Sequence, residues 1–115
     1  MATQHQTPEM AQIERLYAVR GPAEVAAWLE THPYLAPLLC EARDQIDAAF
    51  GPHTHVALEV IEDAEVEDDR KLWALIAVES AAEEADDRFD RLLEQWWLDA
   101  LPRAQGQLAL DVDFE

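Results

Sequence analysis

Glu59, Asp111 and Asp113 are the residues whose type and spacing come nearest to chemistry in this chain. Asp111 and Asp113 alternate with Leu110, Val112 and Phe114 in a C-terminal run, and Glu59 sits in the run Val56 to Ile61 with the same period of two. If those runs pair as neighbouring strands, three carboxylates share one face of a sheet. Such a cluster binds a divalent cation, or raises the pKa of one member for acid–base work. The simpler explanation is that a sheet with one side in water alternates polar and apolar residues anyway, and that charges on edge strands discourage aggregation.

The other candidates for chemistry are weaker. His53 and His55 form an H-x-H pair that, on a strand, puts both rings on one side. No Cys or third His stands at a ligand spacing, so a zinc site is not expected. The stretch Asp63 to Asp69 lacks both the D-x-D-x-D-G pattern and the glycine of an EF-hand. Ser80 is explained by helix capping with Glu83, and Cys40 has no His at a telling position. Glycine occurs at positions 21, 51 and 106 only, which leaves no loop to cradle a phosphate. No catalytic, metal-binding or cofactor-binding residue is assigned, and no cofactor is expected.

Four tryptophans remain, at positions 28, 73, 96 and 97. Trp96 and Trp97 are adjacent on a helical pattern, about 100° apart, and cannot both face inward equally well. Trp73 falls on the strand side opposite Leu72 and Ala74. A half-exposed tryptophan beside carboxylates anchors arginine-rich partners well. Glu59, Trp73, Trp97, Asp111 and Asp113 are therefore the candidate partner-binding residues.

Charge supports the same choice. The 115-residue chain carries 25 acids against eight Lys and Arg, a formal net charge of −17. Residues 1–50 hold seven acids and three bases, whereas residues 51–115 hold eighteen and five. Such a surface repels nucleic acid and anionic membranes and attracts basic proteins. With half its residues apolar, the chain still has the material for a core. A lone cysteine, no signal-like N-terminus and no long apolar run make a cytoplasmic protein the expectation.

The elements that must position these residues follow from the hydrophobic period. Residues 1–7 are polar and read as a disordered N-terminus, and 8–115 as a single α+β domain. Met10, Ile13, Leu16, Tyr17 and Arg20 mark a first helix, stopped by Gly21. Pro22 opens a short second helix, and Leu35 to Phe50 carry the stripe of a third, its regular part starting near Pro37. The period then changes to two over Val56 to Ile61 and again over Leu72 to Glu79. A long helix from Ser80, with Ala85, Phe89, Leu92, Leu93, Trp96 and Trp97 as its stripe, precedes the last strand. The expected architecture is three N-terminal helices, a three-stranded mainly antiparallel sheet, and a long helix between strands two and three. The first strand is expected at the centre.

The pattern Phe89-Asp90, Trp96-Trp97-Leu98-Asp99, Arg103, Gly106 and Leu108 to Phe114, together with His32-Pro33-Tyr34-Leu35 and Phe50-Gly51, resembles a group of small acidic bacterial hypothetical proteins. The resemblance spans about residues 25–115. It implies the antitoxin-like half of a two-gene cassette, and hence a basic partner, and it carries no site residues onto this chain. The leading reading is a non-enzymatic domain that binds or neutralises a basic protein. The alternatives are a metal-dependent or acid–base enzyme on the sheet carboxylates and a DNA-mimic inhibitor. Direct nucleic-acid or membrane binding is not expected, and a homodimer through an edge strand is open.

Overall fold

Helix formation begins where the sequence places its first stripe and stops earlier than expected. The computed structural model describes residues 8–62, 70–78 and 82–114. Helix α1 (Pro8–Leu16) buries Met10 and Ile13 but ends four residues before Arg20. The chain then extends into a two-residue strand, β1 (Ala18–Val19), which pairs in parallel with β2 (Val56–Glu62). Two residues carry no period, and the partner strand lies nearly forty positions away. Long-range pairing, fixed by Arg20 N–H donating to the Leu58 carbonyl at 2.8 Å, overrides the local helical pattern there.

Gly21, at φ 63°, takes the left-handed turn that frees Pro22 to start α2 (Pro22–Thr31). Helix α3 (Leu35–Phe50) begins two residues before Pro37, which therefore occupies the third helical position, where no ladder bond is lost. Its stripe of Leu35, Leu38, Leu39, Ala42 and Ile46 is fully buried. β2 returns beside β1, and β3 (Arg70–Val78) pairs antiparallel to β2, Glu59 opposite Trp73. After α4 (Ala82–Leu92), a π turn (Leu93–Trp97) and α5 (Leu98–Ala104), β4 (Leu108–Phe114) pairs in parallel with β3.

The sheet therefore corrects the expectation of three mainly antiparallel strands. It has four strands in the order β1-β2-β3-β4, and two of its three pairings are parallel. The run at Val56 shares the interior of the sheet with the run at Leu72, and the latter is no edge strand. The last strand returns beside β3, not β2. Two crossovers, one through α2 and α3 and one through α4 and α5, account for the parallel pairs. Residues 1–7, Ser80 and the acidic stretch 63–69 lie outside the described residues.

One core holds the layers together. Leu58, Leu72, Ala74, Ile76, Leu108 and Leu110 on one face of the sheet join Ile13, Val25, Leu39, Ile46, Ala85 and Trp96 from the helices. Ile46 is wholly buried in α3, so Ile46→Ala is expected to cost about 2–5 kcal/mol by leaving a cavity. Leu98→Ala, on a helix position 57 % exposed, should change stability by less than about 0.5 kcal/mol. Urea unfolding midpoints of the two variants check the contrast.

Candidate interaction surface

β3 alternates strictly, with Leu72, Ala74, Ile76 and Val78 buried and Lys71, Trp73, Leu75 and Ala77 half-buried. The half-buried set faces the other way, and register extends that second face across the sheet. Trp73 lies between Glu59 and Ala109, and Leu75 between Ala57 and Asp111. Lys71 is opposite Ile61, and Ala77 is beside Asp113. None of Trp73, Leu75 and Ile61 belongs to the core or packs against it. Every helix among the described residues contributes to that core, and these side chains stand on the sheet face turned away from it. The result is an apolar centre of Trp73, Leu75 and Ile61, edged by Glu59, Asp111 and Asp113.

The carboxylates do not form one cluster. β3 separates Glu59 from β4, and two strand spacings amount to about 9–10 Å, whereas oxygens sharing a calcium lie about 2.3–2.6 Å from it. Glu59 instead pairs across the β1–β2 boundary with Arg20 at 3.5 Å, both side chains being largely in solvent. Asp111 turns to its own strand, its Oδ1 accepting from the Val112 N–H at 2.8 Å. No group of three or more His, Cys, Asp or Glu side chains among the described residues is placed to hold a metal.

Of the five candidate partner-binding residues, Glu59, Trp73, Asp111 and Asp113 share the open face. Trp97 lies elsewhere, 6 % exposed, in the core. The π turn is the reason. The Leu98 N–H bonds back to the Leu93 carbonyl, five residues earlier, which adds one residue to the turn. Ahead of it the inward stripe is Ala85, Phe89, Leu92 and Trp96, and beyond it Trp97, Ala100 and Ala104. The stripe slips by one residue between the two tryptophans, so both point inward, their rings 5.5 Å apart. That slip, visible once the two halves are written separately, is the signal in the sequence.

Glu41 fixes the widened helix to α3. Its Oε1 accepts from Trp96 Nε1 at 2.8 Å, and both oxygens accept from the Arg103 guanidinium, at 3.1 and 2.8 Å. Arg103, and then the Trp96 indole, hold the Glu41 carboxyl below its ordinary range. A second aromatic group went unnoticed in the sequence. His32 stacks on Trp28 at 4.5 Å, Tyr34 meets His32 edge-on, and Arg70 lies 5.9 Å from the Trp28 ring. Trp28 and His32 are four apart across the end of α2, with His32 the residue that caps it, a spacing that could have shown the pair. The Trp28 indole also donates to the Gln107 carbonyl at 3.2 Å, tying α2 to the start of β4.

The remaining polar groups are quiet. Burial, then Asp44, pushes the Cys40 thiol up, away from the thiolate form. Burial also pushes the Tyr17 phenol well above its usual range, where it donates to the Leu39 carbonyl at 2.6 Å. No helix of the described residues is long and apolar enough to cross a membrane. No protein family, curated protein or solved structure matches the chain.

The Glu41 clamp has a pH signature. A carboxyl depressed in the folded state adds stability above its unfolded pKa, ordinarily 4.5, and loses it as pH falls through the folded value. Glu41→Gln should therefore lower the urea midpoint at neutral pH, modestly because the pair is exposed. The difference from the unmodified chain should vanish in acid. A midpoint difference that persists unchanged to low pH would contradict the assignment.

Proposed function

We propose that the chain is a non-enzymatic acidic interaction domain whose open sheet face receives an arginine- or lysine-bearing segment of a basic protein. The observation that carries this reading is the half-buried apolar centre of Trp73, Leu75 and Ile61, outside the core, on a sheet with two parallel pairings. Parallel strands ordinarily have both faces covered, whereas here the helices among the described residues all join the core on one face. An aromatic and aliphatic centre with a charged rim is the composition of a binding hot spot. The rim fixes the sign of the partner. Glu59, Asp111 and Asp113 outnumber Lys71 and Arg20 around that centre, and the chain as a whole carries −17. A second copy of the same face would bring carboxylates against carboxylates, whereas a basic segment gains on approach as well as on contact.

The resemblance to acidic, antitoxin-like proteins agrees with this reading in the sign of the partner. A DNA-mimic role is less well supported, because an apolar centre around a tryptophan does not imitate a row of phosphates. The enzyme alternative loses its joint carboxylate site, since a strand lies between Glu59 and Asp111.

A synthetic peptide alternating arginine with leucine serves as a probe. Titrated into isotopically labelled protein, it is expected to shift the backbone amides of β2, β3 and β4. Trp73→Ala should weaken binding at least about tenfold, as loss of a central aromatic anchor does. Replacing Asp111 and Asp113 with Lys should do the same, whereas replacing Asp86 and Asp87 on α4, an equal charge change, should alter it little. Equal losses from both charge reversals would mean that the peptide senses net charge alone, and the proposed face would be wrong.

A further inference from the structure

The two ends of the sheet are unequal. Its strand order runs from β1, two residues long, to β4, seven residues long, and among the described residues no strand lies beyond either. Two residues offer little to pair with, whereas seven make a strand of ordinary length. Leu72 N–H donates to the Gln107 carbonyl at 3.1 Å, and Leu72 stands opposite Leu108. In a parallel ladder that phase turns the backbone groups of Leu108, Leu110 and Val112 away from β3. Proteins ordinarily blunt such an edge with proline, lysine or a bulge. β4 contains no Pro and no Lys, and its register with β3 runs unbroken from Leu108 to Phe114.

The side chains of β4 divide along the same period of two. Leu108 and Leu110 belong to the core, and Val112 packs against it. Ala109, Asp111 and Asp113 stand on the open face, beside Trp73, Leu75 and Ala77. The residues whose backbone groups turn outward therefore carry apolar side chains, and the carboxylates alternate with them. An antiparallel strand, the more stable pairing per residue, would set its hydrogen-bonded positions against 108, 110 and 112. Its other positions would fall opposite 109, 111 and 113, where facing Cα atoms approach to about 4.5 Å and side chains meet most closely. Opposite charges are favoured there. One outward donor is already engaged, since Asp111 Oδ1 accepts from the Val112 N–H at 2.8 Å. A guanidinium opposite Asp111 draws that carboxylate off and returns the N–H to the ladder.

We infer that the basic segment binds by adding to the outer edge of β4 as an antiparallel strand, with arginine or lysine opposite Asp111 and Asp113 and apolar residues opposite Leu108, Leu110 and Val112. This rests on the open-face reading above and specifies the conformation of the segment and the contact each of its residues makes. A third basic position falls opposite Ala109. Two strand spacings, about 9–10 Å, separate the added strand from β3, and the small Ala109 between them leaves a long side chain room to lie against Trp73. Main-chain hydrogen bonds supply the affinity in this mode, and the alternating side chains supply the specificity.

The arginine–leucine peptide is again the probe, now in two N-methylated forms. Its leucines stand opposite 108, 110 and 112 with their N–H groups turned to β4, whereas the arginine N–H groups turn to solvent. N-methylating two leucines is expected to weaken binding at least about tenfold, by removing ladder bonds and placing methyls between the strands. N-methylating two arginines should alter it little. Hydrogen exchange at the amides of 108, 110 and 112 should slow in the complex, while 109, 111 and 113, bonded to β3 already, should not change. Val112→Pro removes an outward donor at no cost to the β3 ladder and should weaken the unmethylated peptide while circular dichroism stays native. The methylated peptides meet the unmodified protein, so their result stands even where that variant fails to fold. A peptide lost on Trp73→Ala but indifferent to leucine methylation would keep the open face and overturn strand addition, as a helix laid across the face would behave. Equal losses from both methylations would overturn it as well. No binding by any form would remove the interaction reading itself, and this inference with it.

Discussion

Both crossovers lay their helices on the same side of the sheet, and most of what is distinctive in this fold follows from that. α2 and α3 in the first crossover, and α4 and α5 in the second, contribute to a single core with one sheet face. A βαβ-type connection ordinarily serves a sheet that is covered twice, so that its strands read as continuous apolar runs. In β3 the run Leu72 to Val78 is indeed apolar throughout, although only every second residue is buried. The sequence of a doubly covered strand thus stands in a singly covered sheet. Trp73 and Leu75 are the consequence, and they are the physical basis for treating that face as one that receives something.

The helix over the sheet meets a constraint of its own. Two consecutive tryptophans cannot both enter a core from a regular α-helix, and leaving either in water would forfeit one of the largest apolar contributions a side chain makes. Widening one turn resolves the conflict by shifting the inward stripe from Trp96 to Trp97. The shift leaves Leu98 and Leu101 on the solvent side, 57 % and 43 % exposed. The Glu41 carboxylate, holding Trp96 within the widened turn and Arg103 beyond it, ties both to α3. A polar clamp on a stripe that changes register is a reasonable arrangement, because hydrogen bonds fix rotation about the helix axis more tightly than apolar contact does.

Helices and long strands were legible because each repeats its period several times, as the stripe of α3 and the alternation of β4 do. What the period could not supply was pairing. β1 has two residues and no pattern, and its identity as a strand depends on hydrogen bonds to β2 nearly forty residues on. The place of β4 beside β3 was equally silent, since its alternation is compatible with either neighbour. That one ambiguity decided the fate of the carboxylates. Beside β2, Asp111 would have met Glu59. Beside β3 it meets Leu75, and the same residues become the rim of an apolar surface.

Among the described residues no strand pairs with the outer edge of β4, and that edge shows how the acidic residues act on pairing as well as on charge. Leu72 N–H bonds to the Gln107 carbonyl, so in a parallel ladder the backbone groups of residues 107, 109, 111 and 113 turn to β3, and those of 108, 110 and 112 turn outward. Val112 N–H, one of those outward donors, is taken by the carboxylate of Asp111. A strand adding to this edge would have to displace that contact, and a second copy adding antiparallel would set its own Asp111 and Asp113 against these. Self-pairing is therefore opposed twice, by a donor already engaged and by like charges. A strand bearing arginine or lysine faces neither obstacle in full, since its side chains can take over the carboxylate as it releases the amide. On the reading proposed above, the same two aspartates that oppose self-pairing would favour a basic strand.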